Sequence, residues 1–205
     1  MPLLLAPVPV FQLTVSSSGT SKGVAQTRGP QFVGRGELAS GPFYVGAYIK
    51  NVTSSSYGAQ AGALVGVRAT TDGFSIALSA TLKCALDPLR GYDSKAFELA
   101  ASVGRNVGRF TPLLSVNYSP DDLGPPKRSV YVEGGTAYAL SKRVSLSAAI
   151  GRRDRVNGTS YTAWNAGLTW TPDRHFLVAA RYYETDRSSS WPYGPRFVTT
   201  GTLKF

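Results

Sequence analysis

Alternation with a period of two runs through this chain almost from end to end, and it constrains the fold more than any other feature. In the last ten residues Phe197, Thr199, Gly201, Leu203 and Phe205 fall on one face of an extended strand, while Arg196, Val198, Thr200, Thr202 and Lys204 fall on the other. Segments of this kind recur at 10–18, 29–40, 42–53, 58–70, 73–86, 94–106, 109–120, 128–139, 142–152, 161–171, 174–185 and 196–205. That is about twelve strands of roughly 10–13 residues each, the length a tilted strand needs to cross a bilayer.

The connections between these segments fall into two classes that alternate along the chain. Ser40-Gly41-Pro42, Thr70-Thr71-Asp72-Gly73, Val107-Gly108-Arg109, Leu140-Ser141-Lys142 and Thr171-Pro172-Asp173-Arg174 are short and built from turn-forming residues. Residues 19–28, 53–57, 87–93, 119–127, 153–160 and 186–195 are longer and rich in Pro, Gly, Ser, Asp and Arg. An even number of strands with tight turns at one end and long loops at the other predicts periplasmic turns, outer loops and both termini on the turn side.

The two faces of each strand differ in kind. Phe43, Val45, Ala47 and Ile49 alternate with Tyr44, Gly46, Tyr48 and Lys50, and Phe74, Ile76, Leu78, Ala80 and Leu82 alternate with Ser75, Ala77, Ser79, Thr81 and Lys83. On the apolar parity Phe43, Phe74, Phe110, Tyr138, Trp170, Phe176 and Phe205 cluster beside the tight turns, which predicts an aromatic girdle at one membrane interface. A soluble lipocalin-like barrel is the competing fold, with the apolar face inward. The polar face decides against it: Gly, Ala, Ser and Thr with scattered charges suit a crowded lumen better than a solvated exterior dense in Lys and Glu.

Composition narrows the remaining classes. The 205 residues are one domain's worth, only 17% are charged, and the most apolar run, residues 1–11, is interrupted by Pro2, Pro7 and Pro9, so any membrane span must be made of strands. Residues 1–9 resemble the end of a secretory signal or a disordered leader, and 10–205 form the barrel. A single Cys84 excludes an internal disulfide, a single His175 leaves no His/Cys metal cluster, and no cofactor is expected. The net charge of +10 raises nucleic acid as a partner, but the basic residues are scattered over separate loops and alternate strand positions, without a continuous face interleaved with stacking aromatics. No Gly-x-Ser-x-Gly elbow is present, His175 lies beside a predicted turn, and Glu98 and Glu133 lack a spacing that marks a glycosidase pair, so no catalytic residue is assigned. The Asn51-Val52-Thr53 and Asn157-Gly158-Thr159 sequons read as loop residues.

Several stretches carry a resemblance. Ser17-Ser18-Gly19-Thr20-Ser21-Lys22-Gly23-Val24-Ala25-Gln26-Thr27, then Gly41-Pro42-Phe43-Tyr44-Val45-Gly46-Ala47-Tyr48-Ile49-Lys50-Asn51-Val52, and later Val116-Asn117-Tyr118-Ser119-Pro120-Asp121-Asp122-Leu123-Gly124 leading to Ser129-Val130-Tyr131-Val132-Glu133, are similar to motifs of the Gcw_chp family of proteobacterial outer-membrane proteins. The first stretch departs from the family pattern in lacking its Tyr and carrying Lys22 for its Arg. The resemblance implies an outer-membrane β-barrel and supplies no substrate or catalytic residue.

On the polar parity the lumen is predicted to hold Arg35, Glu37, Lys50, Arg68, Lys83, Glu98, Arg105, Glu133, Arg143, Arg181, Arg196 and Lys204, with nine basic groups against three acidic. Charge lining a pore sets its ion preference, so the expectation is a narrow, weakly anion-selective, porin-like channel for small solutes. The alternative is a barrel whose interior is filled by paired charges and whose outer loops act as a structural or surface-interaction element. Lys22, Arg28, Arg90, Lys127, Arg128, Arg152, Arg153, Arg155 and Arg187 fall in the predicted outer loops, where membrane lipid and lipopolysaccharide phosphates are the expected partners. The C-terminal strand ending in Phe205 is the expected contact for the barrel assembly machinery.

Overall fold

A computed structural model describes residues 7–54, 57–90, 93–123, 127–187 and 190–205 of the chain. The elements in chain order are β1 (Val8–Ser16), β2 (Thr20–Ser21), β3 (Val24–Ala25), β4 (Gln31–Ser40), β5 (Phe43–Asn51), β6 (Ala59–Thr71) and β7 (Phe74–Leu86). They continue with β8 (Lys95–Arg105), β9 (Phe110–Asp121), β10 (Ser129–Ala139), β11 (Val144–Arg155), β12 (Tyr161–Trp170), β13 (Phe176–Thr185) and β14 (Arg196–Lys204). All but β2 and β3 form one closed barrel of twelve strands in the order β1-β14-β13-β12-β11-β10-β9-β8-β7-β6-β5-β4. Neighbours are antiparallel throughout, and β1 closes the ring by pairing β14 from Gln12↔Lys204 to Ser16↔Thr200. Backbone bonds between Phe11 and Phe205, at 2.9 and 3.3 Å, extend that seam.

The expected strands are present, with shifted ends. β1 begins at Val8, inside the stretch read as leader, whose residues 1–6 lie outside the described residues. β11 runs to Arg155, three residues beyond its expected end, which turns Arg153 and Arg155 from loop residues into strand residues. The tight turns follow from residue chemistry. Asp72 and Gly73 both have positive φ, 49° and 77°, the conformation that a two-residue hairpin of right-handed twist requires. Asp173 Oδ1 accepts from the backbone N–H of His175 (2.7 Å) and Phe176 (2.9 Å), closing the β12–β13 turn.

Large apolar side chains stand exposed all around the exterior: Leu13, Val45, Val65, Leu78, Leu99, Leu114, Leu146 and Leu168 are among them. A belt of this extent does not occur on a water-soluble surface, so the barrel is of the transmembrane kind, with its apolar side toward lipid. Phe43, Phe74, Phe110, Trp170, Phe176 and Phe205 are exposed on the outward parity beside the tight turns, and Tyr138 packs on Phe110 with ring centroids 4.8 Å apart. A second set of outward aromatics, Phe32, Phe97, Tyr118 and Phe197, marks the loop ends of β4, β8, β9 and β14 and was not singled out from sequence. Two girdles flanking an apolar band are what a bilayer demands of a barrel. Inside, Tyr48 and Tyr44 on β5 lie over Gly62 and Gly66 on β6, where a Cβ would strike their rings.

Candidate functional site

The lumen is divided by the loop between β1 and β4, which folds inward instead of standing over the mouth. Lys22 and Gly23 both have positive φ (51° and 80°), so Thr20–Ser21 and Val24–Ala25 pair as a minimal hairpin. Its stem is cross-linked by Gln26 N–H donating to Gly19 O (2.7 Å) and Gly19 N–H donating to Thr27 Oγ1 (2.7 Å). The tip packs on β12: a Cβ on Gly23 would collide with the Cβ of Ala163, and Val24 is buried with Tyr161 and Ala163 in the one apolar cluster found inside the barrel among the described residues.

Polar contacts fix the tip on several walls. Lys22 Nζ forms an ion pair with Glu98 on β8, which also takes Lys83 Nζ at 2.6 Å. Tyr161 Oη donates to Lys22 O (2.8 Å), Arg196 donates to Gly23 O (2.6 Å), Lys50 donates to Gln26 Oε1 (2.7 Å), and Ala25 N–H donates to Pro192 O (3.0 Å). Each such bond is worth about 1 kcal/mol net, and together they tie the hairpin to walls on opposite sides of the ring. Lys22 belongs to the loop and not to a spanning strand. Burial, then repulsion from Lys83 and Arg153, lowers its pKa to about 8 despite the attraction of Glu98.

Toward the tight-turn end the lumen is basic. Glu37 sits between Arg35 (3.1 Å) and Arg68 (2.6 Å), yet the Arg35 and Arg68 side chains remain 41% and 50% exposed, so both present charge to the open interior. Arg68 also lies over the Tyr44 ring at 4.8 Å. Arg181 is steadied by Asn165 Oδ1 and by Ser147 Oγ (2.5 Å). It borders a cavity of about 450 Å³ shared with Lys22, Glu133 and Tyr183, while Arg35, Tyr48, Lys83 and Glu98 border another of about 470 Å³. Two larger grooves, about 630 and 660 Å³, run along the outward apolar face between Phe11, Val45, Leu82 and Leu99 and belong to the lipid side.

Most residues expected in the lumen point there, and a few do not. Arg35, Glu37, Lys50, Arg68, Lys83, Glu98, Arg181 and Arg196 face inward, Glu133 accepts from Tyr131 Oη (2.6 Å), and Lys204 shares the inward parity of Thr202 at the tight-turn mouth. Arg105 is a correction. The register Phe74↔Arg105 puts both on the outward face, and its guanidinium lies 4.7 Å from the Phe74 ring. Arg143 precedes β11, exposed in its tight turn. Lys22, Arg153 and Arg155, read from sequence as outer-loop cations, all line the lumen, with Arg153 buried in an ion pair to Asp122. The signal for the last two was present: Gly151, Arg153 and Arg155 continue the inward parity of β11. His175 stands exposed by the β12–β13 turn; Nε2 accepts from Arg174 (2.9 Å), which leaves Nδ1 to donate to Lys204 O (2.9 Å).

The barrel resembles solved porins in shape. It superposes on the KdgM porin with a TM-score of 0.66 at 10% identity, covering 96% of this chain and 99% of that one. The NanC porin gives 0.64 at 7% identity, covering 95% and 98%. An outer-membrane channel from Pseudomonas putida F1 gives 0.61 at 11% identity, covering 100% and 97%. At such identities the likeness is one of fold. No curated protein matches the chain in sequence. The model of the Gcw_chp family, described as bacterial protein of unknown function, matches residues 23–205, and the chain belongs to that family.

Proposed function

We propose that the protein is an outer-membrane channel for small anionic solutes, narrowed at its outer mouth by the β2–β3 hairpin. The observation that carries this reading is the pair of exposed, inward cations Arg35 and Arg68, joined by Arg181, which share their stretch of lumen with Glu37 and, beside Arg181, Glu133. Such a lumen lowers the energy of an anion in transit and raises that of a cation. The porin-like neighbours support a conduit in the outer membrane rather than an enzyme. In that setting the tight turns face the periplasm, Arg152 and Arg187 at the loop ends meet lipopolysaccharide phosphates, and β14 is the strand presented to the assembly machinery.

The decisive experiment is the current of refolded protein in a planar bilayer under a salt gradient, beside a variant with Arg68, Arg181 and Lys83 replaced by Gln. The expected result is a steady conductance with an anion-directed reversal potential that shrinks in the variant. Verified insertion without current would overturn the channel reading and favour a closed barrel that acts through its outer loops.

A further inference from the structure

Beside the hairpin, whose Ser21 and Lys22 form part of its wall, lies a polar cavity of about 310 Å³ bordered by Lys50 and Arg155 among others. The charges around it do not balance. Lys22 and Lys83 share one carboxylate, Glu98, and Arg153 takes the other, Asp122. That leaves Lys50 with the neutral amide of Gln26 and the face of Tyr48 at 5.8 Å. Arg155 lies over Tyr161 at 5.7 Å, and its buried Nε has no hydrogen-bond partner among the described residues. Glu98 and Asp122 line the same cavity and attract both cations, but each is already paired with other cations, and two cations withdrawn from water without an ion pair of their own are expensive for a folded protein to maintain. Their persistence is explained if a ligand supplies the charge.

We infer that this cavity is a binding site for a small divalent oxyanion of the sulfate or phosphate-ester class, held between Lys50 and Arg155. Tetrahedral oxygens match the donor set, because a guanidinium grips two oxygens at once and an ammonium serves as a compact point charge beside it. A monovalent ion would leave one of the two cations uncompensated, and the cavity is too small for a long polyanion to lie inside it. The Lys22 ammonium, already under-compensated by half of Glu98, adds to the field at the site. This inference deepens the channel reading by naming the solute class, and it places the first contact at the outer mouth.

The test is titration calorimetry of the refolded, detergent-solubilised protein with sodium sulfate, against sodium chloride at matched ionic strength, with folding checked by heat-modifiable electrophoretic migration. Saturable sulfate binding is expected, weakened at least tenfold in Lys50→Gln and in Arg155→Gln and unaffected by Arg174→Gln in the exposed β12–β13 turn. Should Arg155→Gln fail to fold, Lys50→Gln decides alone, since Lys50 holds no ion pair whose loss would unfold the barrel. Absence of saturable sulfate binding, or wild-type binding by the Lys50 variant, overturns the site whatever the current shows. Sulfate binding by a protein that inserts without conducting would instead sink the channel reading and leave the site standing.

Discussion

Lys22 shows how one residue can escape a sequence reading. It sits in a loop of small polar residues, and only the left-handed turn it forms with Gly23 carries its ammonium across the lumen to Glu98. Its pKa near 8 lies below the ordinary 10.5, so the seated hairpin binds that proton less tightly than the released one. The penalty is therefore present below about pH 8 and is relieved as the pH rises toward 10.5, with Glu98, Lys83, Lys50, Arg153 and Tyr161 as the surrounding groups. Urea midpoints of the wild type should rise relative to Lys22→Met between pH 8 and 10, by on the order of 1–3 kcal/mol in stability; parallel curves would refute it. Asp173 has the opposite sign. The N–H groups of His175 and Phe176 hold its carboxyl below the usual range, so its contribution is present at neutral pH and lost as the pH falls through the acid range. The stability gap between wild type and Asp173→Asn should narrow from pH 6 to pH 3. Inward residues within the strands were legible from parity alone. Arg105 was legible as well, since it continues the outward parity of Phe97, Leu99, Ala101 and Val103, and its charge misassigned it to the lumen.

Among the elements, strands and tight turns were legible because a half-buried strand must alternate and a two-residue turn needs residues such as Asp72-Gly73. The β2–β3 hairpin was not, since two-residue strands carry no period and their anchors, Glu98, Tyr161 and Arg196, are 76, 139 and 173 residues away from the positions they hold. Removing residues 20–25 should leave the twelve-strand ring intact, because none of the barrel registers involves them, and should raise single-channel conductance several-fold. An unchanged conductance would place the narrowest point elsewhere.

For the whole molecule, the number of strands and the end at which each loop lies followed from the alternation of short and long connections. Whether the interior is filled did not, since that depends on side chains meeting across the ring. The salt-gradient experiment belongs to this scale, because the reversal potential reports the summed field of Arg35, Arg68 and Arg181 and not any single group. The hairpin has a mechanical consequence as well. Glu98 on β8 and Arg196 on β14 stand six strands apart on a ring of twelve, at opposite ends of a diameter, and both grip the same two-residue tip. Flattening the mouth requires opposite walls to move relative to one another. Here the tip is bonded to both of those walls, so it acts as a strut that opposes such movement at the loop-end mouth.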